Sequence, residues 1–256
     1  MYKNFGLIGK SLKHSFSKIF FENLFLDLHL ENKYKYHLIE IDTPIDLPNL
    51  ISLYKPLIGL NVTIPYKQQI ISQLDFIDYQ AAKIGAVNCI HFTQEGSKGY
   101  NTDIYGFEKT LEALPHRPLQ VLIIGSGGAA CSVAFVLQKL NIPFVIVYRK
   151  ELPPVFSTYS YLTNTYLFQD FPAPYLNQFD TIINATPIGM YPNIDELPPL
   201  LYDHLLPSQQ IVDLIYNPDE TYLLRLARSK GCFTINGLTM FRHQAALSWD
   251  IWNRNI

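Results

Sequence analysis

The sequence predicts an α/β protein made of two α/β domains in tandem with a cleft between them. Short apolar runs of strand length alternate with stretches of helical periodicity along most of the chain. The string Leu114-Pro-His-Arg-Pro118 breaks that alternation into two series, because two prolines within five residues end any helix running into them. At 256 residues the chain can give each of two domains its own core.

In the first series, residues 5–8 read as a strand. Ser15 or Ser17 then caps a helix carrying Ile19, Phe20, Leu24 and Leu28. Residues 34–41 alternate as a second strand, and 59–64 form a third that Pro65 stops. Residues 87–92 and 96–100 read as a hairpin or an edge pair, and Asp103 opens a helix through Phe107 and Leu111. The second series runs strand 120–124, glycine loop, helix 129–140, strand 144–148. Residues 181–184 and 210–214 are further buried strands, 222–229 a helix, 233–235 a short strand, and 238–252 a final helix. Segment 149–180, rich in Pro and Tyr, gives no regular pattern.

Bulk properties narrow the function classes. Hydrophobic residues at 48% and charged residues at 16% fit a globular chain. The formal charge of −2 leaves no basic excess to neutralise a phosphate backbone, so no nucleic-acid partner is expected. Cys89, Cys131 and Cys232 are too few and too far apart for a disulfide framework. The first residues lack the apolar core of a signal peptide, and no apolar run is long enough to cross a bilayer. A cytoplasmic protein without membrane contact is therefore expected, and the sequence leaves monomer or homodimer open. The seven histidines show no ligand spacing, so no metal is expected either.

Strand 120–124 leads straight into Gly125-Ser126-Gly127-Gly128-Ala129-Ala130 and then a helix. Gly125, Gly127 and Ala130 fit G-x-G-x-x-G/A in the strand, loop, helix and strand order of a Rossmann dinucleotide unit. The first glycine makes the tight turn, and the second lets backbone N–H groups approach a pyrophosphate. The helix N-terminus favours the same anion. Residues 125–129 are thus the expected cofactor loop, although a glycine-rich turn can join any strand to any helix. NAD-binding units place a carboxylate at the end of the second strand, to accept from the ribose 2′-hydroxyl. Here that strand ends Tyr148-Arg149-Lys150, and two cations imply a 2′-phosphate and hence NADP. Glu151 directly afterwards keeps a solvated basic turn open as the plainer reading.

Four polar strings stand at or near strand ends in the first domain. They are His14-Ser15-Phe-Ser17, Asn61-Val-Thr63-Ile-Pro-Tyr-Lys67, Gly85-Ala-Val-Asn88 and Asn101-Thr102-Asp103. In an open α/β sheet such ends meet at the ligand crevice, and these side chains suit a small molecule with a carboxylate and several hydroxyls. Singly, each has a structural reading as a helix cap or turn residue.

With Asn184-Ala-Thr-Pro-Ile-Gly-Met190, Asp213-Leu-Ile-Tyr216-Asn-Pro218 and Asn236-Gly237-Leu-Thr-Met240 leading to Gln244, these strings occur in the order found in the shikimate dehydrogenase family. The chain resembles that family over nearly its whole length. The resemblance implies a substrate-binding domain at 1–102 plus 238–256 and a Rossmann-type NADP-binding domain at 103–237. It implies reversible NADPH-dependent reduction of 3-dehydroshikimate to shikimate within aromatic amino-acid synthesis. It gives Ser15 and Ser17 the substrate carboxylate, and Asn61, Thr63, Asn88, Asp103 and Gln244 the hydroxyls. Lys67 and Asp103 become the catalytic pair. Thr186, Met190 and Gly237 fall to the nicotinamide, and Tyr216 approaches the substrate.

The chain departs from the family pattern in four places. Lys18 stands where Pro is common, Glu22-Asn23 where His-Asn is common, and Tyr148-Arg149-Lys150 where the family has Asn-Arg-Thr. A second arginine farther on is absent. Rival readings are an NAD-preferring quinate/shikimate enzyme, a methylene-tetrahydrofolate dehydrogenase and a non-catalytic NADP sensor. Arg149 opposes the first, the paired serines the second, and retention of Lys67 with Asp103 the third.

Overall fold

A computed structural model describes residues 2–42 and 45–253. It divides into two compact units, one formed by the chain up to Thr102 together with the stretch from Ala245 onward, the other by Asp103–Gln244.

The first unit contains β1 (Lys3–Gly9), α1 (Ser17–Asp27), β2 (Tyr34–Glu40), α2 (Leu47–Leu53), β3 (Leu57–Val62), β4 (Phe76–Ile77), α3 (Tyr79–Ile84), β5 (Cys89–Thr93) and β6 (Gly96–Tyr100). The sheet order is β2-β1-β3-β5-β6-β4. β1 pairs in parallel with β2 and β3, whereas β5 runs antiparallel to β3 and to β6. That reversal puts the start of β5 beside the end of β3. Alternation along the strands sends Phe5 and Tyr36 to one face and Ile8 and Ile39 to the other. The first face is largely aromatic. Phe21 stacks on Tyr36 with centroids 4.3 Å apart, and Phe5, Phe25 and Trp252 close around them. The buried Trp252 donates Nε1–H to Ile90 O at 2.9 Å. Truncating this residue to Ala removes the largest side chain of that core and costs about 3–5 kcal/mol.

The second unit contains α4 (Asp103–Glu112), β7 (Val121–Ile124), α5 (Gly128–Lys139), β8 (Phe144–Tyr148), β9 (Leu162–Leu167), β10 (Thr181–Asn184), β11 (Gln210–Asp213), α6 (Tyr222–Ser229) and β12 (Phe233–Ile235). Its sheet is wholly parallel in the order β12-β11-β10-β7-β8-β9. β7, β10 and β11 are buried along their full length, as expected of strands covered on both faces. In chain order the six strands lie 3-2-1-4-5-6, the doubly wound arrangement. Direction of progress reverses between β7 and β10.

Three expectations about local structure need correction. Neither Ser15 nor Ser17 is the N-cap of α1: that position is Phe16, with no side-chain hydrogen bond, and Ser17 is the first helical residue. The buried face of α1 carries Phe21 and Phe25, with Phe20 and Leu24 half-buried against the same core, while Ile19 and Leu28 are exposed. Apolar residues surround this helix, so spacing alone selects no face, and the two rings that fit the aromatic core win. Segment 149–180 is not wholly irregular, since it holds β9, whose Leu-Thr-Asn-Thr-Tyr-Leu sequence is mostly half-exposed at the sheet edge.

The last helix, α7 (Leu238–Asn253), was expected to belong entirely to the first unit, and it is shared instead. Its first turns pack within the second unit. The Tyr216 and Phe241 rings lie 4.7 Å apart, and Met240 O approaches to 2.5 Å of where a Cβ at Gly106 would stand. Among the described residues no helix is long and apolar enough to cross a membrane.

Candidate active site

In the first unit the polar strings gather at one end of the sheet. β1 and β3 are parallel neighbours, so the chain leaving β1 toward Ser15 and Ser17 and the chain leaving β3 toward Thr63 and Lys67 emerge together. Thr63 N–H donates to Ile8 O at 3.0 Å across that end. The 85–88 string is tied in by Val87 N–H to Lys67 O at 2.7 Å and by Val62 N–H to Asn88 O at 2.8 Å. Asn88 N–H donates to Tyr100 O at 3.0 Å, which brings the Asn101-Thr102 string to the same end. Ser15 and Ser17 hydroxyls lie 3.2 Å apart, and Ser15 Oγ also accepts from Ser17 N–H at 3.2 Å. Ser15, Thr63 and Lys67 are half-buried, whereas Ser17, Asn61 and Asn88 are buried.

A buried network underlies these residues. Asn61 Nδ2 donates to Asn88 O at 3.3 Å and to Ser248 Oγ at 2.9 Å, while Asn61 Oδ1 accepts from Tyr36 Oη at 2.9 Å. Both amide hydrogens of Asn61 are thus committed, and it can meet a ligand only through the remaining lone pair of Oδ1. Asn88 Oδ1 accepts from Thr102 N–H at 2.7 Å, and Thr102 Oγ1 lies 3.2 Å from Ser248 Oγ. Tyr36, Thr102 and Ser248 are supporting residues that the sequence reading missed. Thr102 lay inside a quoted motif, and Tyr36 read only as one aromatic of an alternating strand. Ser248 gave one faint signal, a lone small polar residue on an apolar helix face.

In the second unit every expected residue after β7, β8, β10, β11 and β12 lies beyond a carboxyl end of the parallel sheet, as a doubly wound fold requires. Gly125 has φ +113°, and an added Cβ would lie 2.9 Å from Thr186 Cγ2. Gly127 differs. It is the N-cap of α5 with extended backbone, it is exposed, and nothing stands within 4 Å of an added Cβ. Neither φ nor internal packing demands glycine there, which fits a backbone kept bare for a ligand. Gly128 and Ala129 follow in the first turn of α5, where N–H groups point out of the helix. Ser126 Oγ donates to Glu151 O at 2.7 Å, which couples the glycine loop to the segment after β8. Arg149 and Lys150 are exposed just past β8 and form no ion pair among the described residues. A bare helix N-terminus with an uncommitted guanidinium one strand away fits a dinucleotide carrying a 2′-phosphate.

Thr186 and Met190 occupy the loop after β10, with Met190 exposed, and Tyr216 is half-buried after β11. Gly237 donates N–H to Ile215 O at 3.0 Å, and a Cβ there would strike Leu214 O at 2.0 Å, so its glycine is required by the packing of this loop. Asp103 is the first residue of α4 and buried, a carboxyl in the favourable field of a helix N-terminus. Gln244 is half-buried on α7, its Cβ 3.2 Å from where a Cβ at Gly106 would stand, one turn along α4 from Asp103. Asn184 and Asp213, quoted within motifs but given no role, form a buried side-chain pair at 3.0 Å.

A family model described as the shikimate dehydrogenase substrate binding domain matches residues 7–90. The shikimate dehydrogenase (NADP(+)) of Methanocaldococcus jannaschii is 39% identical over 262 residues, covering 98% of this chain and 91% of that one. A crystal structure of a shikimate dehydrogenase in complex with NADP+ superposes with a TM-score of 0.86 at 38% identity, covering 98% of this chain and 90% of the other. The Thermus thermophilus enzyme in complex with NADP(H) and shikimate gives 0.84 at 26% identity, covering 98% and 93%. Sequence likeness of this extent, shared with enzymes whose fold this chain reproduces from end to end, has one reading: the chain belongs to the shikimate dehydrogenase family.

Proposed function

We propose that the chain catalyses the reversible, NADPH-dependent reduction of 3-dehydroshikimate to shikimate in aromatic amino-acid biosynthesis. The observation that carries this reading is the convergence of Ser15, Ser17, Thr63, Lys67 and Asn88 at one sheet end, in a chain 39% identical to a shikimate dehydrogenase (NADP(+)). Ser15 and Ser17 donate to the substrate carboxylate, their hydroxyls 3.2 Å apart standing close enough to reach the same group. Thr63, Asn88, Asp103, Gln244 and the remaining lone pair of Asn61 hold the ring hydroxyls.

A bound cofactor would supply the hydride, with residues 125–129 holding its pyrophosphate and Arg149 with Lys150 its 2′-phosphate. Thr186, Met190 and Gly237 would lie toward its nicotinamide, and Tyr216 toward the substrate. Lys67 does the proton work. As the substrate carbonyl oxygen gains charge, the Lys67 ammonium stabilises it and gives up a proton; in reverse its neutral amine removes the hydroxyl proton. Asp103 completes the pair. The chain works in the cytoplasm as a monomer or homodimer on small molecules alone, and its charge of −2 supports the absence of a nucleic-acid partner.

A steady-state assay with shikimate and NADP+, followed by NADPH absorbance, tests the reading. NADPH formation with shikimate, and much slower turnover with NAD+, is expected. Tight NADP+ binding without turnover of shikimate contradicts it and favours a sensor.

A further inference from the structure

We propose that Asp213 is a positioning residue for the reaction, fixing the loops that carry Thr186 and Tyr216 at the carboxyl ends of β10 and β11. The inference rests on the roles given above to those two residues. Asp213 is 0% exposed, and no ion pair among the described residues includes it. A carboxyl buried without a cation is costly, and volume alone would be filled better by an aliphatic side chain such as the adjoining Ile211 and Val212.

What the carboxyl supplies is acceptors. Oδ1 takes Asn184 Nδ2 at 3.0 Å and Ile215 N–H at 3.1 Å, and Oδ2 takes Thr221 Oγ1 at 2.6 Å. Asn184 is its register partner on β10 and passes the constraint on. Asn184 Oδ1 accepts from Thr186 N–H at 3.0 Å and Thr186 Oγ1 at 2.7 Å, and Thr186 Oγ1 accepts from Ile188 N–H at 3.2 Å. Thr221 caps α6 by accepting from Leu224 N–H at 3.3 Å. One carboxyl therefore pins the loop after β10, the loop after β11 and the start of α6. Tyr216 follows Ile215 directly. Burial pushes Asp213 up to about 7, while its donors Thr221, Ile215 and Asn184 pull the other way. The titratable group beside it is Tyr202, a phenol that burial keeps neutral.

A purely structural role would lower stability and leave the folded fraction fully active. The full chain is compared with Asp213→Ala and Asp213→Asn, with Asp213→Ser replacing the alanine variant should that fail to fold. Three readouts are taken: kcat and KM for shikimate, the dissociation constant of adenosine 2′,5′-bisphosphate, and amide exchange at Thr186, Ile188 and Ile215. Asp213→Ala is expected to lower kcat on the order of 10- to 100-fold through misplaced contacts, with a smaller change in shikimate KM. Affinity for the bisphosphate, which lacks the nicotinamide, stays within about twofold. The three amides exchange faster, and Asp213→Asn, which keeps an oxygen acceptor, recovers most of the kcat.

A folded alanine or serine variant with near-normal kcat, unchanged exchange at those amides, or parallel loss of bisphosphate binding overturns the proposal. If the unsubstituted chain fails to turn over shikimate, the functional reading falls instead, and the exchange comparison still decides whether Asp213 holds the loops.

Discussion

Gly125 and Thr186 face each other across the point where strand order reverses, with 2.9 Å between Thr186 Cγ2 and the place a Gly125 Cβ would take. Two glycines of one loop are thereby glycine for different reasons, and substitution separates them. Gly125→Ala meets both positive φ and Thr186, and should cost about 1–3 kcal/mol of stability. Gly127→Ala should change stability by no more than about 0.5 kcal/mol, because its backbone is extended and its surroundings are open. Its cost should appear in NADP+ binding, measured by titration of the folded protein. If Gly127→Ala binds NADP+ normally, the bare backbone there serves no ligand.

Arg149 tests the choice of cofactor. Arg149→Ala should raise KM for NADP+ and leave KM for NAD+ nearly unchanged, since the role proposed for the guanidinium is at the 2′-phosphate alone. Loss of a charge-assisted contact corresponds to about 1.5–3 kcal/mol. Equal loss with both cofactors would make the arginine structural.

The paired hydroxyls make a different kind of prediction. Ser15 and Ser17 lie 3.2 Å apart, and the role proposed for them on the substrate carboxylate is binding common to ground and transition states. Ser15→Ala should therefore raise KM for shikimate more than it lowers kcat. An unchanged KM would leave Ser15 as a turn residue whose oxygen merely accepts from Ser17 N–H.

Asp213 gives a pH dependence of stability with a definite sign. Its carboxyl rises from 3.8 to about 7 on folding, so between about 4 and 7 the folded chain holds a proton that the unfolded chain has released. This contribution to stability is complete below pH 4 and is lost as pH rises through about 7. Asp213→Asn removes the titrating group, so its unfolding free energy from denaturant titrations should fall less steeply over that window. Identical pH profiles for the two proteins would show that the carboxyl is ionised throughout.

The parallel sheet of the second unit was legible because its strands are covered on both faces and read as unbroken apolar runs, as at Val121–Ile124. β9 was not, because an edge strand with exposed Thr163 and Asn164 carries neither an apolar run nor a clean alternation. The face of α1 was only half legible for the opposite reason, an excess of apolar residues: Phe20 and Leu24 do pack on the core, whereas Ile19 and Leu28 do not. At the site, residue types in motif order pointed to Ser15, Thr63 and Lys67. The engagement of Asn61 by Tyr36 and Ser248 was invisible, since residues 61 and 248 lie 187 positions apart in the chain. Asp213 stood within a quoted motif, but only its burial and its three donors give it a role.

The proposed mechanism gives the chemistry to Lys67, and the kinetics of that residue test it most directly. The measurement is kcat and KM for shikimate in Lys67→Met at saturating NADP+. A proton relay predicts kcat lower by about 10²- to 10⁴-fold with little change in shikimate KM, because the missing interaction belongs to the transition state. Near-normal kcat with a large rise in KM would contradict it, and would reduce Lys67 to a charge that attracts an anionic substrate.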